Sequence, residues 1–149
     1  MLRRIALLVP FVALLALSSG CAVNRATANV SPDADIRGMK SFYVVKTKGD
    51  DRNIDKLIVD NLQKRGFTTM SGPQSDKAPA GADAVVTYFD RWVWDMSMYM
   101  LELTVQLRNP VNNFPMATGN SFHTSLTRKS PPEMVDEVLT NIFNAQAKK

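Results

Sequence analysis

The chain has 149 residues, 45% of them hydrophobic, and a formal net charge of +4, which suits one domain with a modest core. Its cations are interspersed with acids and form no stripe, which excludes the electrostatic footprint of a nucleic-acid-binding protein. One cysteine and one histidine exclude an internal disulfide and leave a zinc-type metal site without ligands.

Residues 1–20 read as a secretory leader: Arg3 and Arg4 make a basic start, 5–17 is apolar apart from Pro10, and Ser18, Ser19 and Gly20 are small. The apolar run falls short of the roughly 20 residues that a membrane-crossing helix needs. The stretch "LALSSGCA" resembles a bacterial lipoprotein signal, in which small residues precede a cysteine that takes diacylglycerol on sulfur and becomes the new N-terminus. The leucine usual three places before that cysteine stands four places before it, as Leu17. The resemblance implies that Cys21 is the lipidation site, bearing acyl chains such as palmitate. Lipidation also removes a lone thiol from an oxidising compartment, and two or three chains at ~0.8 kcal/mol per buried methylene hold permanently. Ala22, where aspartate commonly signals inner-membrane retention, implies by the same resemblance the periplasmic face of the outer membrane. Loss of the leader with Arg3 and Arg4 lowers the formal charge by two.

Residues 21–40 are small, polar and aperiodic, with Pro32 and Gly38 as breakers, and predict a flexible tether. A single domain is expected over 41–149. Residues 41–46 (Ser, Phe, Tyr, Val, Val, Lys) suit a strand. After a turn at 48–50, Ile54, Leu57, Ile58 and Leu62 recur at helical spacing over 53–65, with Asp50 or Asp51 to cap the first amides and Gly66 for a left-handed exit. Residues 67–70 predict a short returning strand and 71–83 a loop.

Residues 84–107 are too long for one strand and carry no helical stripe, so they predict a hairpin that turns at Met96 and Ser97. The preferred register sets Arg91 against Glu102, since a shift by one would oppose Asp90 and Glu102. It assigns Val86, Tyr88, Trp92, Trp94, Tyr99, Leu101, Leu103, Val105 and Leu107 to the buried face. Asp90 also points inward, which a bulge at Asp90 and Arg91 relieves. Phe89, Val93, Met98 and Met100 fall on the other face as an apolar patch, a candidate site for an envelope protein or a second copy of the chain.

A strand over 116–126 follows, with Ser121, His123 and Ser125 on a polar outer face. Ser130 and Glu133 form a capping box with Pro131 at the first helical position, and Val135, Val138, Leu139 and Ile142 give the last helix its stripe. The expected fold is α+β, a mainly antiparallel sheet of four to five strands with two helices on one face.

Asp33–Ile36 leading into Lys40–Tyr43, "LQKRGF" at 62–67 and "ADAVVTY" at 82–88, together with Cys21, resemble a family of small bacterial lipoproteins that carry a domain of unknown function. The resemblance covers most of residues 30–145 and implies an envelope location. The segment "DRWVWDMSMYMLEL" and the strand after it depart from that pattern.

No constellation demands chemistry. His123 has serines on its own strand face but no evident acid partner, Asp90 and Asp95 flank tryptophans as ordinary hairpin charges, and no glycine-rich phosphate loop is present. The chain is expected to be non-enzymatic and to need no cofactor. Two function classes remain: a membrane-anchored binding or assembly subunit of the envelope, or a periplasmic carrier of a small apolar or lipid ligand held among Trp92, Trp94 and the methionines.

Overall fold

Phe42, Tyr43 and Val44 are buried in succession along strand β2 (Ser41–Val45), the mark of a strand covered on both faces. In the computed structural model, which describes residues 23–75 and 81–147, β2 is preceded by β1 (Asn24–Val30). It is followed by helix α1 (Ile54–Lys64), β3 (Thr68–Gly72), β4 (Ala84–Asp95), β5 (Ser97–Arg108), β6 (Pro115–His123), a short 3-10 turn (Ser125–Thr127) and helix α2 (Pro131–Ala147). The expected leader and Cys21 lie outside the described residues. The fold is α+β, with both helices over one face of a single sheet in the order β1-β6-β5-β4-β2-β3.

Two expectations about the sheet need correction. It has six strands, and it is mixed, because β2 runs parallel to both β3 and β4, with Phe42 opposite Thr69 on one side and Ala84 on the other. A strand that returns after a crossover helix comes back in the original direction, so the α1 connection makes β3 parallel. The extra strand is β1, inside the stretch read as a tether. It pairs with β6 from Asn24 opposite His123 to Val30 opposite Ala117. Most of its side chains are exposed. Main-chain hydrogen bonds hold an edge strand, so it can lack the apolar alternation by which strands are recognised.

The helix boundaries follow local chemistry. At the end of α1, Gly66 adopts φ 91°, the Phe67 amide donates to the Leu62 carbonyl at 3.1 Å and the Gly66 amide to Gln63 at 2.9 Å, a Schellman closure. At its start the Asp50 carboxylate accepts the Asp55 and Arg52 amides at 3.1 and 3.0 Å. At the start of α2, Glu133 accepts the Ser130 amide at 2.8 Å and the Ser130 hydroxyl at 2.6 Å, which is one half of the expected capping box, the hydroxyl donating to the carboxylate where the box has it accept the Glu133 amide. Between sheet and helices lies one core, in which Phe42, Val44, Ile58, Leu62, Leu103, Leu107, Val138 and Ile142 are buried. Gly119 lets α2 approach β6 closely: a Cβ there would lie 2.8 Å from side-chain atoms of both Val138 and Ile142.

The β4–β5 hairpin keeps the expected register through most of its length, with Val86 opposite Leu107 and Arg91 opposite Glu102. Beyond Arg91 the pairing slips by one, Trp92 facing Met100 and Trp94 facing Met98, with Leu101 as the extra residue. The bulge therefore lies on β5, opposite Arg91 and Trp92, and not at Asp90 and Arg91 of β4 as predicted. It turns Met100 into the core at 0% exposure. The turn is tighter than predicted: Asp95 and Ser97 are partners and Met96 alone caps the hairpin, at φ 56°.

Candidate functional site

The alternation of β6 places Ser121 and His123 beneath α2, fully buried, and leaves Phe122 on the opposite face. The expectation of a polar outer face for Ser121 and His123 is thereby reversed, and Ser125 lies outside the strand in the 3-10 turn. The missing acid is Glu137 of α2. Its Oε2 accepts the Ser121 hydroxyl at 2.6 Å and lies 2.8 Å from His123 Nε2, while Lys129 Nζ donates to Oε1. Burial pushes the Glu137 carboxyl up, but the hydrogen bonds from Lys129, Ser121 and His123 outweigh it and hold its pKa at about 2.

These residue types recur in hydrolases, but here they are wired differently. A nucleophilic serine gives its proton to histidine, and the acid holds the far ring nitrogen. In this cluster serine and histidine both bind the carboxylate. His123 Nδ1 is buried without a hydrogen-bond partner. The arrangement can fasten α2 to β6 but cannot activate Ser121. Sequence reading missed Glu137 because the residue sits on a helix 14 positions away; the available signal was a glutamate inside the apolar stripe of α2.

The aspartates beside the tryptophans also part company. Asp90 accepts the Trp92 indole N–H, and Arg52 stacks 4.2 Å from the Trp92 ring. Asp95 lies five residues further along the same strand, about 17 Å at the usual rise, beyond the ~9.5 Å that paired glycosidase carboxylates reach. Among the described residues no group of three or more His, Cys, Asp or Glu gathers as a metal would require.

Among the clefts on the described surface, two differ in character. The larger, about 740 Å³, is lined by Tyr43, Lys46, Lys48, Thr87, Arg108 and Asn113 among others, and no carboxylate lines it among the described residues. Neutral acceptors hold the Arg108 guanidinium, Asn113 at 2.8 Å and Gln106 at 2.6 Å, and among the described residues no carboxylate pairs with it. Such a wall suits an anionic or polar ligand better than an apolar one. The smaller cleft, about 230 Å³, lies over Asp50, Asp90 and Tyr88. Burial and the hydrogen bond to Asp50, at 2.6 Å, push the Tyr88 hydroxyl up to about 12.

The four residues expected to form an apolar patch are not brought together. Phe89 is 63% exposed, but it stands in a polar row with Thr104, Asn120 and Thr27. Val93 is half-buried, Met98 is exposed and Met100 belongs to the core. A different apolar surface exists at the hairpin tip, where Trp94, Met96 and Met98 are 73%, 88% and 50% exposed. Trp94 was expected to be buried. The hairpin runs past the end of β6, whose pairing with β5 stops at Glu102, and no described element covers Trp94. Beside the tip, Arg128 donates to Ser97 Oγ at 2.8 Å and lies 4.6 Å from the Tyr99 ring.

No helix among the described residues is long and apolar enough to cross a membrane. No family model matches the chain, and no curated protein matches it in sequence. Among solved structures, a variant of the PelC dodecamer from Paraburkholderia phytofirmans is similar at a TM-score of 0.60 and 18% identity, covering 80% of this chain and 98% of that one. A second PelC dodecamer structure from the same organism gives 0.57 and 15% over the same shares. A minor lipoprotein from Acinetobacter baumannii is more distant, at a TM-score of 0.36 and 12% identity over 74% of this chain and 92% of that one. At these identities the PelC likeness shows that the chain shares their fold.

Proposed function

We propose that the chain is an envelope lipoprotein, anchored by acyl chains on Cys21 to the periplasmic face of the outer membrane, and that it acts as a non-enzymatic assembly subunit which binds further copies of itself. The observation that carries this reading is the likeness to PelC, a dodecamer, over 98% of the PelC chain. The sheet order supports it, since β1 and β3 are outer strands on opposite sides. Contacts between unlike edges propagate head to tail and close into a ring when the rotation allows. The wiring of Ser121, His123 and Glu137 favours a structural over a catalytic role. The carrier of an apolar ligand is the less supported reading, because the larger cleft is cationic.

Light scattering on the detergent-extracted, full-length lipidated protein tests the assembly. A mass of many copies is expected, and a monomer at every concentration would refute it. Metabolic labelling with tagged palmitate tests the anchor: wild type should take the label and Cys21→Ser should not. Co-fractionation with outer-membrane markers tests the location.

A further inference from the structure

We infer that the overhanging tip of the β4–β5 hairpin is a membrane-contacting element, seated in the headgroup layer of the bilayer that holds the lipidated Cys21; the inference rests on the anchoring proposed above. Strand pairing places the tip and the start of β1 at the same end of the sheet. Asn24, the first residue of β1, lies opposite His123, at the end of β6 beside which the hairpin projects. Thr124 holds the chain there, its amide donating to the Val23 carbonyl at 3.4 Å.

Lengths decide whether the two reach one surface. Cys21 precedes Asn24 by three residues, a span of at most roughly 11 Å. From Leu101, level with the end of β6, to Met96 is five residues, or about 17 Å of strand. With the strands directed at the bilayer, the tip reaches at least about 6 Å deeper than the anchored cysteine, a depth comparable with the ~5–10 Å at which apolar side chains settle below the headgroups.

The exposed chemistry at this end suits that position. Trp94, Met96 and Met98 form the tip, and Leu126, 81% exposed, sits on the 3-10 turn that Arg128 ties to the tip through Ser97 and the Asp95 carbonyl. Tryptophan favours the membrane–water boundary because its ring is apolar and its N–H polar, and methionine adapts to irregular apolar surroundings. Arg128, exposed, lies beside the tip and suits anionic headgroups. Asp95 is the one acid in the sequence from Trp92 to Met98.

The test uses full-length lipidated protein in vesicles of phosphatidylethanolamine and phosphatidylglycerol, with and without bromine on the acyl chains. Bromine should quench a larger fraction of the wild-type tryptophan emission than of Trp94→Phe, in which only Trp92 remains. Met96→Asp, at an 88% exposed position, should also reduce the quenching. Palmitate label in the same preparation reports the anchor separately. Label present with equal quenching in wild type and Trp94→Phe overturns the tip contact and leaves the anchor standing. So does emission that responds to protein concentration and not to bromine, which assigns the tip to a second copy. Absence of label overturns the anchor and this inference with it.

Discussion

The root and the tip of one hairpin, β4–β5, obey different rules. At the root, Val86, Leu103, Val105 and Leu107 are wholly buried between sheet and helices, and each inward position is paired with a cross-strand neighbour. At the tip, residues as apolar as those of the root stand in the open because no described element lies over them. Apolar character and alternation are alike in both; what differs is whether another element lies above. Burial is a property of the place, and an apolar side chain without cover points to a surface that something else must provide.

The contrast breaks if root and tip respond alike to substitution. Leu103→Ala should cost about 2–5 kcal/mol, since it opens a cavity in a filled core, read as a lower denaturation midpoint with unchanged slope. Gly119→Val should cost about 1–3 kcal/mol by forcing branched atoms against Val138 and Ile142, and a near-neutral result would mean that α2 is not clamped to β6. Glu137→Gln should cost about 1–3 kcal/mol near neutral pH, because it weakens a hydrogen-bonded charge cluster. It also has a signature in acid. The folded pKa of about 2 lies below the ordinary value near 4.3, so the carboxylate's contribution is complete above that value and is lost as pH falls towards 2. Wild type should therefore lose more stability than Glu137→Gln between about pH 5 and 2, and parallel acid profiles would remove Glu137 from that role. Smallest of all, Met98→Thr at the tip should change stability by no more than about 0.5 kcal/mol, while weakening bromine quenching of Trp94. Unfolding of that variant would show that the tip is packed after all.

Much of this architecture was legible in the residues, and the failures share a cause. The helical stripe ending in Gly66, the Ser130–Glu133 box and the pairing of Arg91 with Glu102 depend on neighbours in sequence or on a single facing strand. The misreadings of β1, Met100, Trp94 and His123 each concern how elements meet in space. β1 is a strand through its hydrogen bonds to β6, Met100 is core because a bulge rotates it, and Trp94 is exposed because no described element lies over it. His123 is covered by a helix that its own strand gives no sign of.

The sequence by itself determined the helix ends and the body of the hairpin, because capping and periodicity are local properties of a chain. Tertiary structure alone decided which face of β6 was inner, that the mixed sheet gained a sixth strand, and that Glu137 would gather Ser121, His123 and Lys129. It also decided that the tip would lie at the end where β1 begins. Those outcomes depend on the order of strands in space, which follows from burying the most apolar surface over the whole chain and is written in no single stretch of it.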